Sequence, residues 1–134
     1  MSQQNVEVVQ RAIGAFNAGT IAATYDWYDP DLEFLEDPEL RGPDAIEAFF
    51  RRFLDLFDDY SIEIEEIVDA GDKVVLFNRQ QAHAKGRGPQ LDIRSAWVFA
   101  FREGKIARIT PYWDRARALE AVGLDEYPNR SGAR

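Results

Sequence analysis

The chain has 134 residues, 46% of them apolar and 30% charged, a composition that suits one globular domain with a single core. Its 24 acidic against 16 basic side chains leave a net charge of −8, the wrong sign for a nucleic-acid binder. With no cysteine and one histidine, disulfides, thiolate nucleophiles and a multi-histidine metal site within one chain are excluded. No apolar run approaches the ~20 residues of a membrane span. The opening residues, Met1 to Glu7, lack the basic and apolar regions of a secretion signal, so a cytoplasmic protein is expected.

Val6, Val9, Ile13 and Phe16 recur at helical spacing, and Asn17-Ala18-Gly19 supplies the stop. Thr20 is placed to cap a second, short helix carrying Ile21, Tyr25 and Tyr28 toward Asp29-Pro30. Leu32 and Phe34 mark a short strand closed by Pro38. Gly42-Pro43-Asp44 then opens the clearest helix, whose Ile46, Phe49, Phe50, Phe53, Leu54 and Phe57 follow the apolar helical repeat.

Beyond it the period changes to two. Ile62, Ile64 and Val68 alternate with Glu63, Glu65 and Asp69 before a turn at Ala70-Gly71-Asp72. A long strand runs from Val74 to His83, a Gly-rich hairpin loop from Lys85 to Pro89, and a second long strand from Leu91 to Phe101. Arg102-Glu103-Gly104-Lys105 turns the chain into a last strand, Ile106 to Trp113, and Asp114 caps a final short helix ending at Gly123. The order predicts an α+β fold: a curved antiparallel sheet wrapped as a cone around N-terminal helices. One domain is expected over residues 1–127, with a flexible tail over 128–134.

Four stretches, in this order, resemble the nuclear transport factor 2-like superfamily (cystatin-like fold), particularly its SnoaL-like and ketosteroid isomerase-like branch. They are Val8-Val9-Gln10-Arg11 with Asn17-Ala18-Gly19, Glu36-Asp37-Pro38 with Gly42-Pro43, Phe99 to Ile106, and Tyr112-Trp113-Asp114 with Ala118 to Leu124. The resemblance covers about Val6 to Leu124. It implies a cone with an apolar cavity, no cofactor, a small apolar ligand, no nucleic-acid or membrane partner, and a homodimer.

The resemblance carries functional residues across unevenly. The isomerase base falls on Asp37, but the two donors of its oxyanion hole fall on Ala12 and Trp97. A base without donors cannot hold the charge of an enolate, so steroid isomerisation itself is not expected. Similarity to limonene epoxide hydrolase places its arginine on Arg79 and its two aspartates on Gln81 and Pro111, which argues against that hydrolysis. The single aspartate of the SnoaL-like cyclases has no secure counterpart here.

The resemblance also sets a parity for the sheet. It turns Trp97, Phe99 and Phe101 inward, with Arg79, Gln81 and His83 on the neighbouring strand and Ile109, Pro111 and Trp113 on the last. Asp37, Arg79 and His83 become the catalytic candidates: a base at the mouth of an apolar cavity, a guanidinium, and an imidazole that titrates near neutrality. Phe16, Tyr28, Phe53, Gln81, Trp97, Phe99, Ile109 and Trp113 become the expected ligand contacts. Plainer readings stand beside these: Asp37 as a turn aspartate, Arg79 paired to Asp37 or Glu36, and His83 at a hairpin end in water. The outer sheet face, with Val98 and Ile106, is expected to pair with a second copy.

Two functions are therefore expected to compete. One is cofactor-independent isomerisation or cyclisation by Asp37. The other is a non-catalytic ligand-binding or dimerisation module.

Overall fold

A computed structural model describes residues 2–19 and 26–124. Helix α1 (Ser2–Asn17) is followed by β1 (Tyr28–Phe34), β2 (Asp37–Arg41), α2 (Pro43–Leu54), β3 (Phe57–Asp69), β4 (Lys73–Ala84), β5 (Gln90–Arg102), β6 (Lys105–Tyr112) and α3 (Arg115–Ala121). The six strands form one curved sheet in the order β2-β1-β6-β5-β4-β3. The α+β class holds. The sheet is mixed rather than wholly antiparallel, because β1 runs parallel to β6.

Several local expectations change once tertiary pairing is seen. The second helix expected from Thr20 falls mostly outside the described residues, and Tyr28 opens a strand instead of closing that helix. Pro38 does not end the sheet. Leu35 and Glu36 make a two-residue turn with φ of 58° and 57°, and the chain returns as β2, an edge strand that tolerates a proline. Phe57 likewise starts β3 instead of extending α2. Gly42 is needed where it stands: its φ is 88° and a Cβ would lie 3.2 Å from the Pro30 carbonyl oxygen.

The sheet buries both faces along part of its length. Its inner face carries Val74, Leu76, Ile62, Phe99, Ile106 and Ile109 against Val9, Ala12 and Ile13 of α1 and Ile46 of α2. Its outer face carries Val68, Val75, Phe77, Ala96 and Val98 under Ala118 and Leu119 of α3. That helix is capped as the sequence predicts, with the Asp114 carboxylate accepting from the Ala116 N–H at 2.9 Å. The face expected to meet a second copy is thus partly covered. Val98 lies beneath α3, and Ile106 points inward because the β5–β6 register shifts between Ala100 and Phe101.

Asn17, at the end of α1, holds the helix to the free edge of β3. Its amide donates to the Ile62 carbonyl at 2.8 Å and accepts from the Ile62 N–H at 2.9 Å. The rings of α2 then pack into one aromatic cluster, Phe50 edge-on to Phe49 and Phe53, and Phe49 stacked on Phe53. Phe50 meets Phe16 of α1 at 4.9 Å between centroids, and Phe53 meets Tyr60 of β3 at 5.1 Å.

Candidate functional site

Between the two helices and the inner sheet face lies a hollow of about 30 Å³, room for one or two waters. Ala12 and Phe16 of α1, Tyr28 and Phe34 of β1, and Ile46 and Phe50 of α2 form one side. Ile62, Trp97, Phe99 and Ile109 form the sheet side. Five of the expected ligand contacts therefore converge: Phe16, Tyr28, Trp97, Phe99 and Ile109. Ala12 and Trp97, the positions of the two missing donors, both face it. Phe53 sits one layer away, in the ring cluster with Phe49 and Tyr60.

The three catalytic candidates lie elsewhere. Asp37 is exposed on β2, and its carboxylate accepts from the Glu39 N–H at 2.9 Å, a local turn bond. It borders an open cleft of about 300 Å³ shared with Glu33, Glu36, Pro38, Arg41 and Arg108, separate from the apolar hollow. Asp37→Asn keeps that acceptor, so it is expected to change unfolding free energy by less than about 0.5 kcal/mol in urea denaturation. A larger loss would mean that the carboxylate has a partner beyond its own turn.

Arg79, Gln81 and His83 face outward, opposite to the expected parity. The reason lies in Val74-Val75-Leu76-Phe77: all four are buried, alternately beneath α1 and α3, so the apolar run hides which face is inner. Val74 and Leu76 point inward, so Asn78, Gln80 and Ala82 share that face by alternation. Arg79 forks onto Asp92 across the ladder, through Nε at 2.9 Å and Nη2 at 2.6 Å, instead of reaching Asp37 or Glu36. His83 lies against Asp59, with its backbone N–H donating at 2.8 Å and Nδ1 at 3.1 Å from the carboxylate. Gln81 borders the same outer cleft as Asp59 and His83. Trp113 has left the sheet and is 72% exposed.

The outer-face ion pair has a readable consequence. The Arg79 hydrogen bond, reinforced by its charge and that of Arg94, holds the Asp92 carboxyl below its ordinary value of 3.8. A depressed folded-state pKa gives stability that is present above about pH 4 and is lost as pH falls through the folded value. Asp92→Asn is accordingly expected to flatten the acid limb of a stability–pH curve. An unchanged slope below pH ~4 would mean the pair does not persist in solution.

The sequence reading missed four inner-face residues. The Tyr60 hydroxyl donates to Gln80 Oε1, and Gln80 Nε2 donates to Asn78 Oδ1 and Ser95 Oγ, both at 3.2 Å. Ser95 Oγ donates in turn to Asn78 Oδ1 at 3.2 Å. Asn78 is fully buried, and burial alone pushes the Tyr60 phenol well above its usual range. Counting by twos from Leu76 would have found Asn78 and Gln80, had the strand's parity been known.

The SnoaL-like domain model matches residues 9–109, more than half the chain. The chain belongs to the SnoaL-like family. Solved structures agree on the fold of this SnoaL-like domain. TerC co-crystallised with polyporic acid is 20% identical, covers 89% of this chain and 98% of its own, and superposes with a TM-score of 0.71. A protein from Catenulispora acidiphila DSM 44928 with a ketosteroid isomerase-like fold, in complex with trimethylamine, is 19% identical over 90% of this chain and 95% of its own, TM-score 0.71. An NTF2-like protein of Burkholderia pseudomallei K96243 is 16% identical over 90% and 98%, TM-score 0.73. No curated protein matches the chain. At these identities the neighbours define architecture and leave chemistry to the site itself.

Proposed function

We propose that this SnoaL-like domain is a binding module for a small, neutral, apolar or aromatic molecule, and that Asp37 takes no part in proton transfer. One observation carries the reading. The hollow is walled by Phe16, Phe34, Phe50, Trp97 and Phe99, and among the described residues no carboxylate, imidazole or guanidinium lines it. A proton-transfer site needs a base within hydrogen-bond reach of the ligand. A binding site for a neutral ring needs only apolar walls and a way in.

The way in must come from the side chains. Ligand pockets usually hold about 300–1,000 Å³, so a ring enters here by displacing walls. Phe16, Phe50 and Trp97 are each only half-buried, which leaves them the rotamer freedom that Leu76 and Val74 lack. One neighbour of the same fold, TerC, was co-crystallised with polyporic acid, which supports ligand binding but not the neutral charge proposed here.

Toluene is a suitable minimal probe. Titrated into nitrogen-15-labelled protein, it is expected to shift the indole N–H resonance of Trp97 while leaving that of the exposed Trp113 in place. Ala12→Leu puts three further carbons into the hollow, at a stability cost of about 1–3 kcal/mol, and is expected to abolish the shift. If toluene moves no Trp97 resonance in the unsubstituted protein, the binding reading is wrong.

A further inference from the structure

We infer that Tyr60, Gln80, Asn78 and Ser95 form the polar end of the ligand site and select an aromatic molecule carrying a neutral hydroxyl group. The inference rests on the binding reading above, which it makes specific. Gln80 sits opposite Ile62 across the β3–β4 ladder, and Ser95 is two residues before Trp97 on β5. Ile62 and Trp97 both line the hollow. The Tyr60 ring also meets that of Phe16, another lining residue, at 5.9 Å between centroids. The polar group thus adjoins the apolar one on the same inner surface.

Its hydrogen-bonding capacity is not used up. A carboxamide nitrogen carries two N–H donors. Among the described residues Asn78 Nδ2 has one hydrogen-bond partner, the Leu76 carbonyl at 3.5 Å, which is at the limit of a hydrogen bond. The Tyr60 oxygen donates to Gln80 yet retains acceptor capacity. Tyr60 and Gln80 are half-buried, whereas Asn78 and Ser95 lie deeper, so the first two are the more accessible pair; Tyr60 also borders the cleft of Asp59, Gln81 and His83. A hydroxyl both donates and accepts, which suits a Tyr–Gln pair. Among the described residues no cation is hydrogen-bonded to this network, and burial holds the Tyr60 phenol neutral, which favours a neutral hydroxyl over an anionic oxygen.

A wholly structural role for the network makes a different prediction, and the isosteric pair p-cresol and p-xylene separates the two. They differ by a hydroxyl in place of a methyl. The protein is expected to bind p-cresol about three- to tenfold more tightly than p-xylene, the range of one net hydrogen bond. Tyr60→Phe and Gln80→Met are each expected to bring that ratio near one while leaving the p-xylene affinity within about twofold. Tyr60→Phe removes a single oxygen, so it keeps the test usable should Gln80→Met not fold. Binding of p-xylene without preference for p-cresol would overturn this inference and leave the apolar pocket standing, as would a preference that survives both substitutions. Binding of neither compound would overturn both.

Discussion

Replacing Leu76 with alanine is expected to lower the unfolding free energy by about 2–5 kcal/mol, the usual range for a buried leucine. Leu76 is fully buried in the middle of β4, with Ile67 of β3 on one side and Trp97 of β5 on the other. Its strand is clamped from behind, since Val75 and Phe77 are packed beneath α3. The backbone therefore cannot slide inward to close the gap, which places the cost toward the upper end of the range. For a domain of this size such a loss lowers the melting temperature by roughly 10 °C or more. Urea unfolding measures it directly. A loss under about 1 kcal/mol would mean that β4 is not the centre of the inner core.

Trp97→Ala is expected to move stability and binding in opposite directions. The indole walls the hollow and is half-buried, so its removal costs about 2–4 kcal/mol, somewhat less than for a fully buried tryptophan. The same change enlarges a hollow whose present size is the obstacle to a ring. An apolar cavity made by truncation stays dry and accepts small aromatic molecules. Toluene is accordingly expected to bind the variant about tenfold more tightly than the unsubstituted protein, and to restore part of the lost melting temperature. Weaker binding instead would show that the indole serves as a platform for the ligand, and that volume is not what limits entry.

Both expectations depend on sheet parity, where reading from sequence went furthest astray. The helices were accessible because helical periodicity reports the buried face directly: Ile46, Phe49, Phe50 and Phe53 can share only one side of α2. On β3 the alternation separates Ile62 and Ile64 from Glu63, as the structure has them. Val68, expected on the same side as the isoleucines, lies on the outer face under α3, because the β3–β4 register shifts between Ile64 and Glu66. β4 differs because its apolar residues are contiguous. Nothing local then says whether Arg79 or Asn78 shares a face with Leu76's neighbours in the core. An assignment one residue out of step sent Arg79, Gln81 and His83 to the wrong side and concealed Asn78 and Gln80.

Asp37 illustrates a second limit. The Glu36-Asp37-Pro38 stretch matches the isomerase pattern, but a match in sequence does not aim a carboxylate. Leu35 and Glu36 form the turn, Asp37 falls on an edge strand, and its side chain accepts from the Glu39 N–H two residues on. The position of β2 at the sheet edge follows from β1 pairing in parallel with β6, a contact between residues more than seventy positions apart.

By itself, then, the sequence determined the α+β class, the α2 helix, the turns at Gly71 and Gly104, the Asp114 cap and the family, all properties of neighbouring residues. The tertiary structure alone decided which face of β4 looks inward, which strand stands beside β1, and how little space the rings leave between helix and sheet. The physical reason is range. Propensity, capping and periodicity act over a few residues, whereas strand pairing and the volume left by packed side chains depend on groups brought together only by folding.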